Sequence, residues 1–379
     1  MDFALNDDQQ ALVELARKIM ADHCHNDALQ KFASSGAAYD PVLWRTLAET
    51  GLTGVGIPQE AQGTGFGMIE TAFLLEAAGS ALAPVPLRDT LIGARVLADA
   101  HEQAVWVAKA VNGDLIIANA VDTTGAIDHA PPCTAQRAGE GWTLSGVCTA
   151  VPYGLEAGLI IVAARLADSK EAALFAVPAD APGMTRHAQQ GTDLTPLAEL
   201  QFNQVTLAKT AYLGGAAQLA RHCARLRVAL AASQLGVVAD ALRRTASYTS
   251  ERIQFGRPIG SMQAVQQRAA DAYIQVEALR STVWRAAWLI DQDIYDEAEI
   301  ATAKYWAALA GHTVTHTAQH QHGGMGADIT YPIHRYFLAA RHIESALGGA
   351  QPMLAAIGAA VAAGRARRLS AIGGGHDAV

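Results

Sequence analysis

The sequence predicts a mainly α-helical chain with a central β domain: an N-terminal helical domain over residues 1–115, a small β-barrel or sandwich over 116–210, and a C-terminal four-helix bundle over 211–379. Three observations predict it. Apolar residues recur at helical spacing in the first third and, over longer stretches, in the last. Between them they collect into short runs separated by Gly, Pro, Asp and Ser, the pattern of strands and turns. Hydrophobic residues make up 51% of the chain and charged ones 17%, a balance that favours extensive burial over a solvated, disordered chain.

Element by element, Asn6 or Asp7 stands where a cap belongs, ahead of Leu12, Leu15, Ala16 and Ile19 at 3–4 spacing. Leu43, Leu47 and Leu52 mark another helix. Residues 58–67 read as a Gly-rich loop, 69–82 as a helix, Pro84 and Pro86 as breakers, and 91–100 as a further helix. Residues 115–118, 142–144, 159–163, 173–177 and 201–205 read as strands. The long apolar periodicities over 218–249, 262–290, 297–320 and 333–363 supply the four helices of the bundle.

Composition excludes several classes. Net charge is -8, and the only basic block is Arg365, Arg367 and Arg368, a solvated helix end, so no nucleic-acid partner is expected. Cys24, Cys133, Cys148 and Cys223 show no CxxC spacing and read as free thiols of a reducing, cytoplasmic protein. The acidic, amphipathic start does not read as a signal peptide. Apolar tracts such as 354–364 fall short of the roughly 20 residues of a membrane span, so none is expected.

Three sequence features bear on chemistry. Gly63, Gly65 and Gly67 lack the preceding strand of a nucleotide-binding loop and read as a surface turn. His312, His316 and His320 fall on one helix face with His322 beyond. Thr313 stands where a metalloprotease helix carries Glu, so they read as a polar face and no metal site is expected. In 250–267, Gly256 and Pro258 end a helix after Phe255, and a new one starts near Ser261. The turn presents Arg252 and Gln254 beside an aromatic ring. An Arg at such a break can pair bidentately with a pyrophosphate; an ordinary interhelix corner fits the same residues.

The stretch ERIQFGRPIGSMQAVQQRAAD resembles the acyl-CoA dehydrogenase motif R-x-x-F-G-x-x-I-x-x-x-Q, and HQHGGMG resembles that family's Q-x-x-G-G-x-G turn. The likeness extends through PQEAQGTGFGMIETAFLLEAAGSALAPVPL, GWTLSGVCTAVPYGLEAGLIIVAAR and YPIHRYFLAARHIESALGG, nearly the whole chain. It implies the same three-part layout, flavin adenine dinucleotide (FAD) as cofactor and an acyl-CoA as substrate. It also implies an electron-transfer flavoprotein or similar acceptor, a role in lipid or steroid catabolism, and a homo- or hetero-oligomer, a dimer or dimer of dimers. It puts Arg252, Gln254, Phe255 and Gln263 at the pyrophosphate across a subunit interface. His320, in place of the family's Gln, falls with Gly323 and Gly324 at the adenine half. Arg227 matches an Arg beside the substrate.

The family's reaction needs a carboxylate to remove the α-proton of the thioester while the β-hydrogen leaves as hydride. The two positions where members carry that Glu fall on Leu347 and Leu226. Glu344, one helical turn before Leu347, and Glu277 are the carboxylates left to consider, so the catalytic base is unassigned. The family's T-E-P-x-x-G-S-D loop aligns with residues 120–127, and its flavin-packing Trp and Thr align with Ala150 and Pro152. The pyrophosphate end is kept and the ring end rebuilt. Four readings follow: a self-sufficient dehydrogenase with a relocated base; a subunit that completes a cofactor site with a Glu-bearing partner, as in bacterial heterotetramers acting on bulky steroid or polycyclic acyl-CoAs; a flavin oxidase or monooxygenase; and a purely structural bundle.

Overall fold

The computed structural model describes residues 4–100, 103–121 and 131–365, so residues 122–127 of the loop above, Arg367 and Arg368 lie outside the described residues. Helix α1 (Asp7–His23) starts at a capping box. Asn6 accepts from the Gln9 amide while its own amide donates to the Gln9 side chain. Its buried stripe is Leu12, Val13, Ala16, Ile19 and Met20, which leaves the predicted Leu15 at the margin, 39% exposed. Helix α2 (Asn26–Ser35), capped by His25, was not anticipated; Leu29 is its single buried residue, too little for a periodic signal. Helix α3 (Pro41–Glu49) has Asp40 as cap and Pro41 in its first turn. It ends before Leu52, which is buried in a separate 3-10 turn, Leu52–Gly54.

Helices α4 (Met68–Ser80), α5 (Leu87–Ala98) and the unanticipated α6 (Ala104–Val111) follow. The orphan amides of Met68 and Ile69 at the start of α4 donate to Asp291, 223 residues away, at 2.6 and 3.1 Å.

The middle of the chain forms one eight-stranded sheet from β1 (Ile117–Ala120), β2 (Cys133–Ala138), β3 (Gly141–Pro152), β4 (Leu159–Leu166), β5 (Ala172–Pro178), β6 (Met184–Gln189), β7 (Leu197–Leu207) and β8 (Tyr212–Gly214). The order is β6-β7-β3-β2-β4-β5-β8, and β1 lies parallel to the first half of β4 while β2 lies parallel to its end. Strands β4 and β5 are buried almost throughout and were legible as apolar runs; β2, β6 and β8 were not, being half exposed or very short.

Helices α7 (Ala216–Glu251), α8 (Gln263–Asp291) and α9 (Glu297–His322) are the long members of the last layer. The fourth helix expected over 333–363 is two, α10 (Ile333–Ser345) and α11 (Ala350–Ala362). The break falls where Leu347 and Gly348 take left-handed φ of 52° and 107°. Residues 333–362 together are long and apolar enough to cross a membrane by length and composition. The corner splits them into two 13-residue helices of about 20 Å each, shorter than a bilayer core.

Helix α7 ends at Glu251, four residues before the expected break at Phe255. A hairpin of β9 (Ile253–Gln254) and β10 (Arg257–Pro258) follows, turned by Phe255 (φ 55°) and Gly256 (φ 78°). Two consecutive positive φ values make a type I′ turn, whose twist matches a two-residue hairpin loop. Helices α4 and α7 cross closely because Gly79 and Gly236 meet the facing backbone: a Cβ on either would lie 2.1 Å from Ser233 O or 2.0 Å from Glu76 O.

Candidate functional site

Two adjoining cavities open between α4, α5, α7, α10 and the loops of the sheet. The first, of about 240 Å3, has apolar walls that include Leu75, Ala78, Leu82, Val237 and Leu338. The second, of about 270 Å3, is lined by Ala150, Pro152, Leu226, Leu230 and Leu347. Arg88, Asp89, Thr192 and His342 line both and form a polar waist between them.

Both positions at which the resemblance seeks a base are therefore at the second cavity, and both are leucine. Among the described residues lining that cavity, Asp89 is the one carboxylate. It is buried and committed: Arg88 pairs with it at 3.0 Å, and Asn119 donates to its backbone carbonyl at 3.0 Å. Behind Asn119, His222 is fully buried with Nε2 3.0 Å from Asn119 Oδ1. Burial, helped by Arg225, pushes its pKa down to about 3, so it is neutral. On the other wall of the waist His342 Nδ1 lies 3.6 Å from Asp193 Oδ1, and burial holds its pKa below the usual histidine value. Neither pair was singled out in the sequence, where Arg88-Asp89 is an ordinary helix start and Asp193 sits in an unremarkable loop.

Glu344 does not line either cavity. It accepts from Arg341 at 2.8 Å and faces His312 at 3.4 Å, on the side of α10 toward α9. Glu277 pairs with Arg280, 3.4 Å away. The corner that carries Leu347 is held by two cations. Lys304, with no solvent exposure, donates to the carbonyls of Ile343 (3.1 Å), Glu344 (3.1 Å) and Gly348 (2.8 Å). Arg227 Nε donates to Leu347 O at 3.3 Å. Burial, then the charge of Arg227, lowers the Lys304 pKa to about 7. Arg227 is thus engaged with the backbone of the corner and is not among the cavity-lining residues.

The remaining predicted residues gather at the opposite end of α7. Arg252, Gln254, Phe255 and Gln263 are exposed, Phe255 at 89%. The Arg252 guanidinium makes no hydrogen bond or ion pair among the described residues, although its backbone is fixed by Tyr248 and Ile259. The turn with exposed His320, Gly323 and Gly324 is tied to the same end: His322 stacks on Tyr248 with centroids 4.3 Å apart, and Gln321 donates to Val265 O at 3.1 Å. His312 and His316, farther back on α9, face Arg341 and Phe337. Cys133 and Cys148, on the paired strands β2 and β3, come to 3.5 Å between sulfurs in the buried sheet, and the four cysteines are thiols.

Arg252 follows Leu226 by 26 residues of continuous α7, about 39 Å at the helical rise. The hairpin and the second cavity of one chain are therefore far apart. Their chemistry also differs. At the hairpin a free guanidinium, side-chain amides and glycines with open space suit a phosphate group. At the cavity, the Ala150 amide is already donated to Gln189 at 2.7 Å and Pro152 has no N–H, so these two strand positions offer a flavin ring no donor.

N-terminal helices packed on a C-terminal helical bundle, an eight-stranded sheet between them in sequence, two adjoining open cavities and a cationic hairpin at a distance are an enzyme fold of the acyl-CoA dehydrogenase type. Comparison with known proteins agrees. Residues 6–104 match the acyl-CoA dehydrogenase N-terminal domain and residues 214–362 the acyl-CoA dehydrogenase C-terminal domain. Acyl-CoA dehydrogenase FadE27 of Mycobacterium tuberculosis is 38% identical over 94% of this chain and 98% of its own length. A chain in the crystal structure of the ChsE4-ChsE5 complex from Mycobacterium tuberculosis superposes with a TM-score of 0.90 at 38% identity, covering 96% of this chain and 99% of that one. A chain of the Tcur3481-Tcur3483 steroid ACAD G363A variant does so with a TM-score of 0.90 at 40% identity, covering 94% and 98%. The chain belongs to the acyl-CoA dehydrogenase family, as its motifs implied.

Proposed function

We propose that this chain is one subunit of an FAD-dependent acyl-CoA dehydrogenase that forms the 2-enoyl-CoA, with residues 1–115, 116–210 and 211–379 as its three domains, and that a second chain supplies the carboxylate base. The observation that carries this is the separation on α7. The free Arg252 lies 22 residues along α7 from Leu230, the nearest residue of that helix lining the chain's own second cavity, about 33 Å at the helical rise, and that cavity has leucine at both base positions. A hairpin so placed serves a site completed by another molecule.

In that site the Arg252 guanidinium pairs with the FAD pyrophosphate, where a planar fork suits two phosphate oxygens. Gln254 and Gln263 donate amides beside it, and Phe255 covers it from water. His320, Gly323 and Gly324 border the adenine half. Bound FAD supplies the hydride acceptor for the β-hydrogen, and the partner's carboxylate takes the α-proton. Electrons leave to an electron-transfer flavoprotein or similar acceptor. The likeness to chains of two complexes with paired names, one described as a steroid ACAD, supports a heteromeric assembly and a bulky acyl group.

Co-expression with a homologue that carries the Glu tests this. The complex is expected to be yellow and active, and the chain alone inactive. In the complex, Arg252→Gln is expected to weaken FAD retention by at least about tenfold, the loss of a charge-assisted pair. Turnover by the chain alone, or unchanged flavin content in the Arg252→Gln complex, refutes the proposal.

A further inference from the structure

His312, His316 and His320 of α9 are exposed, but His322, its last residue, is buried. Its ring stacks on Tyr248 at 22° between planes, and the Tyr331 ring lies 5.3 Å from it between centroids. Tyr248 stands one helical turn before Arg252, and its carbonyl accepts the Arg252 amide at 2.8 Å. The imidazole therefore joins the end of α7 that carries Arg252 to the 3-10 turn Gly323–Ala327. One side of that turn is tightly held: a Cβ on Gly326 would lie 2.6 Å from Gln319 O. The other is open, since a Cβ on Gly323 or Gly324 would meet nothing within 4 Å. His322 Nδ1 lies 2.7 Å from Ala318 O, which can only accept, so Nδ1 carries the hydrogen and Nε2 a lone pair. Nε2 is buried and has no hydrogen-bond partner among the described residues. A second proton would make it an unpaired N–H+ stacked on Tyr248. Tyr248 of α7 and Tyr331 of the following loop face the ring. Arg244 and Glu251 of α7 bear on Tyr331, and α8 meets only the neighbouring Gln321, through the Val265 carbonyl. No carboxylate offsets the penalty, and burial holds the His322 pKa below the usual histidine value.

We propose that His322 is a positioning residue for FAD: its neutral ring holds the Gly323-Gly324 turn against the Arg252 end of α7, and its protonation releases the turn and with it the adenine half of the cofactor. The inference rests on the FAD role proposed above and adds to it a residue that touches no cofactor atom and acts through Tyr248. The hold is complete above the ordinary histidine pKa of about 6.5 and is lost as pH falls below it, because the released ring takes a proton that the stacked ring refuses.

The first measurement needs no flavin. Hydrogen exchange gives amide protection factors over 323–327 in the purified chain at pH 7 and pH 5.5. Wild-type protection is expected to fall about fivefold relative to His322→Phe, which keeps an aromatic stack and cannot titrate. The second uses the complex with the Glu-bearing homologue. FAD retention there is expected to fall about fivefold over the same interval relative to His322→Phe, whose own profile stays level within about twofold. His322→Ala, which removes the stack at any pH, is expected to weaken FAD retention about tenfold at pH 7, and His322→Phe to restore it. A loss common to all histidine variants would mark a merely structural residue; the level profile of His322→Phe is what marks the proton. Coincident pH profiles of wild type and His322→Phe in either measurement, or unchanged FAD retention in His322→Ala, overturn the proposal. The subunit reading is decided separately, by Arg252→Gln, which leaves the flavin-free exchange measurement in place.

Discussion

Replacing Lys304 with Met would remove an ammonium that has no solvent exposure and whose three hydrogen bonds all go to one corner of the chain, at Ile343, Glu344 and Gly348. Two of these carbonyls belong to the last turn of α10, where no intrahelical donor exists. Met matches the stem of lysine and keeps the packing, so the change isolates the polar contribution. A buried carbonyl left unpaired costs about 1–3 kcal/mol. The low end applies, because the variant also no longer desolvates an ammonium. Three carbonyls then come to about 3 kcal/mol of local stability. Hydrogen exchange reads this directly: opening of the corner becomes easier by about a hundredfold, so amides over 343–349 exchange about that much faster, while those of β4 and β5 do not change. Acceleration of the corner amides below about threefold would refute the assignment of Lys304 as the clamp of that corner.

Other expectations follow from the same geometry. His222 is neutral in the folded chain down to about pH 3 but takes a proton near pH 6.5 when unfolded. Its contribution is therefore complete above pH 6.5 and is lost as pH falls toward 3, on the order of 5 kcal/mol in all. His222→Gln should flatten part of the acid slope of the urea midpoint between pH 7 and 4, and equal slopes in the two proteins would count against it. Asp291→Ala removes the cap that α8 lends to α4 and should cost about 1–2 kcal/mol, read as a lower thermal midpoint. A midpoint that does not move would mean the amides find other partners. Gly236→Ala forces α4 and α7 apart and should cost at least about 3 kcal/mol, whereas Gly324→Ala, with open space around its Cβ, should stay within about 0.5 kcal/mol. Similar urea midpoints for these two variants would show that the helix crossing is not tight.

The long helices and buried strands were legible because burial leaves a periodic mark. α7, α8 and α9 lie close to their predicted spans, and β4 and β5 stand out as apolar runs. The short elements left no such mark. α2 buries one residue, and β6 alternates between half-buried and exposed positions. The break between α10 and α11 was missed for another reason. The apolar periodicity over 333–363 was followed across Gly348-Gly349, itself a turn signal, and the corner there is held by a lysine 43 residues before Leu347, donating to carbonyls. The Arg252 turn was located correctly, but its hairpin form was not. Gly256 announces a turn, while a Phe at φ 55° in its first central position goes against local preference.

The sequence by itself determined the family, the three-zone order of helix, strand and helix, and the absence of a carboxylate at two matched positions. Periodicity and motif spacing are local properties, and they survive without coordinates. Only the tertiary structure decided that Leu226 and Leu347 share one cavity, that Arg88, Asp89, Thr192 and His342 form its waist, and that Arg252 lies about 39 Å from Leu226 along a single helix. Those relations join residues about 100 to 250 positions apart or set near neighbours at opposite ends of a rigid rod. Distance along a chain carries no information about either until the helices pack.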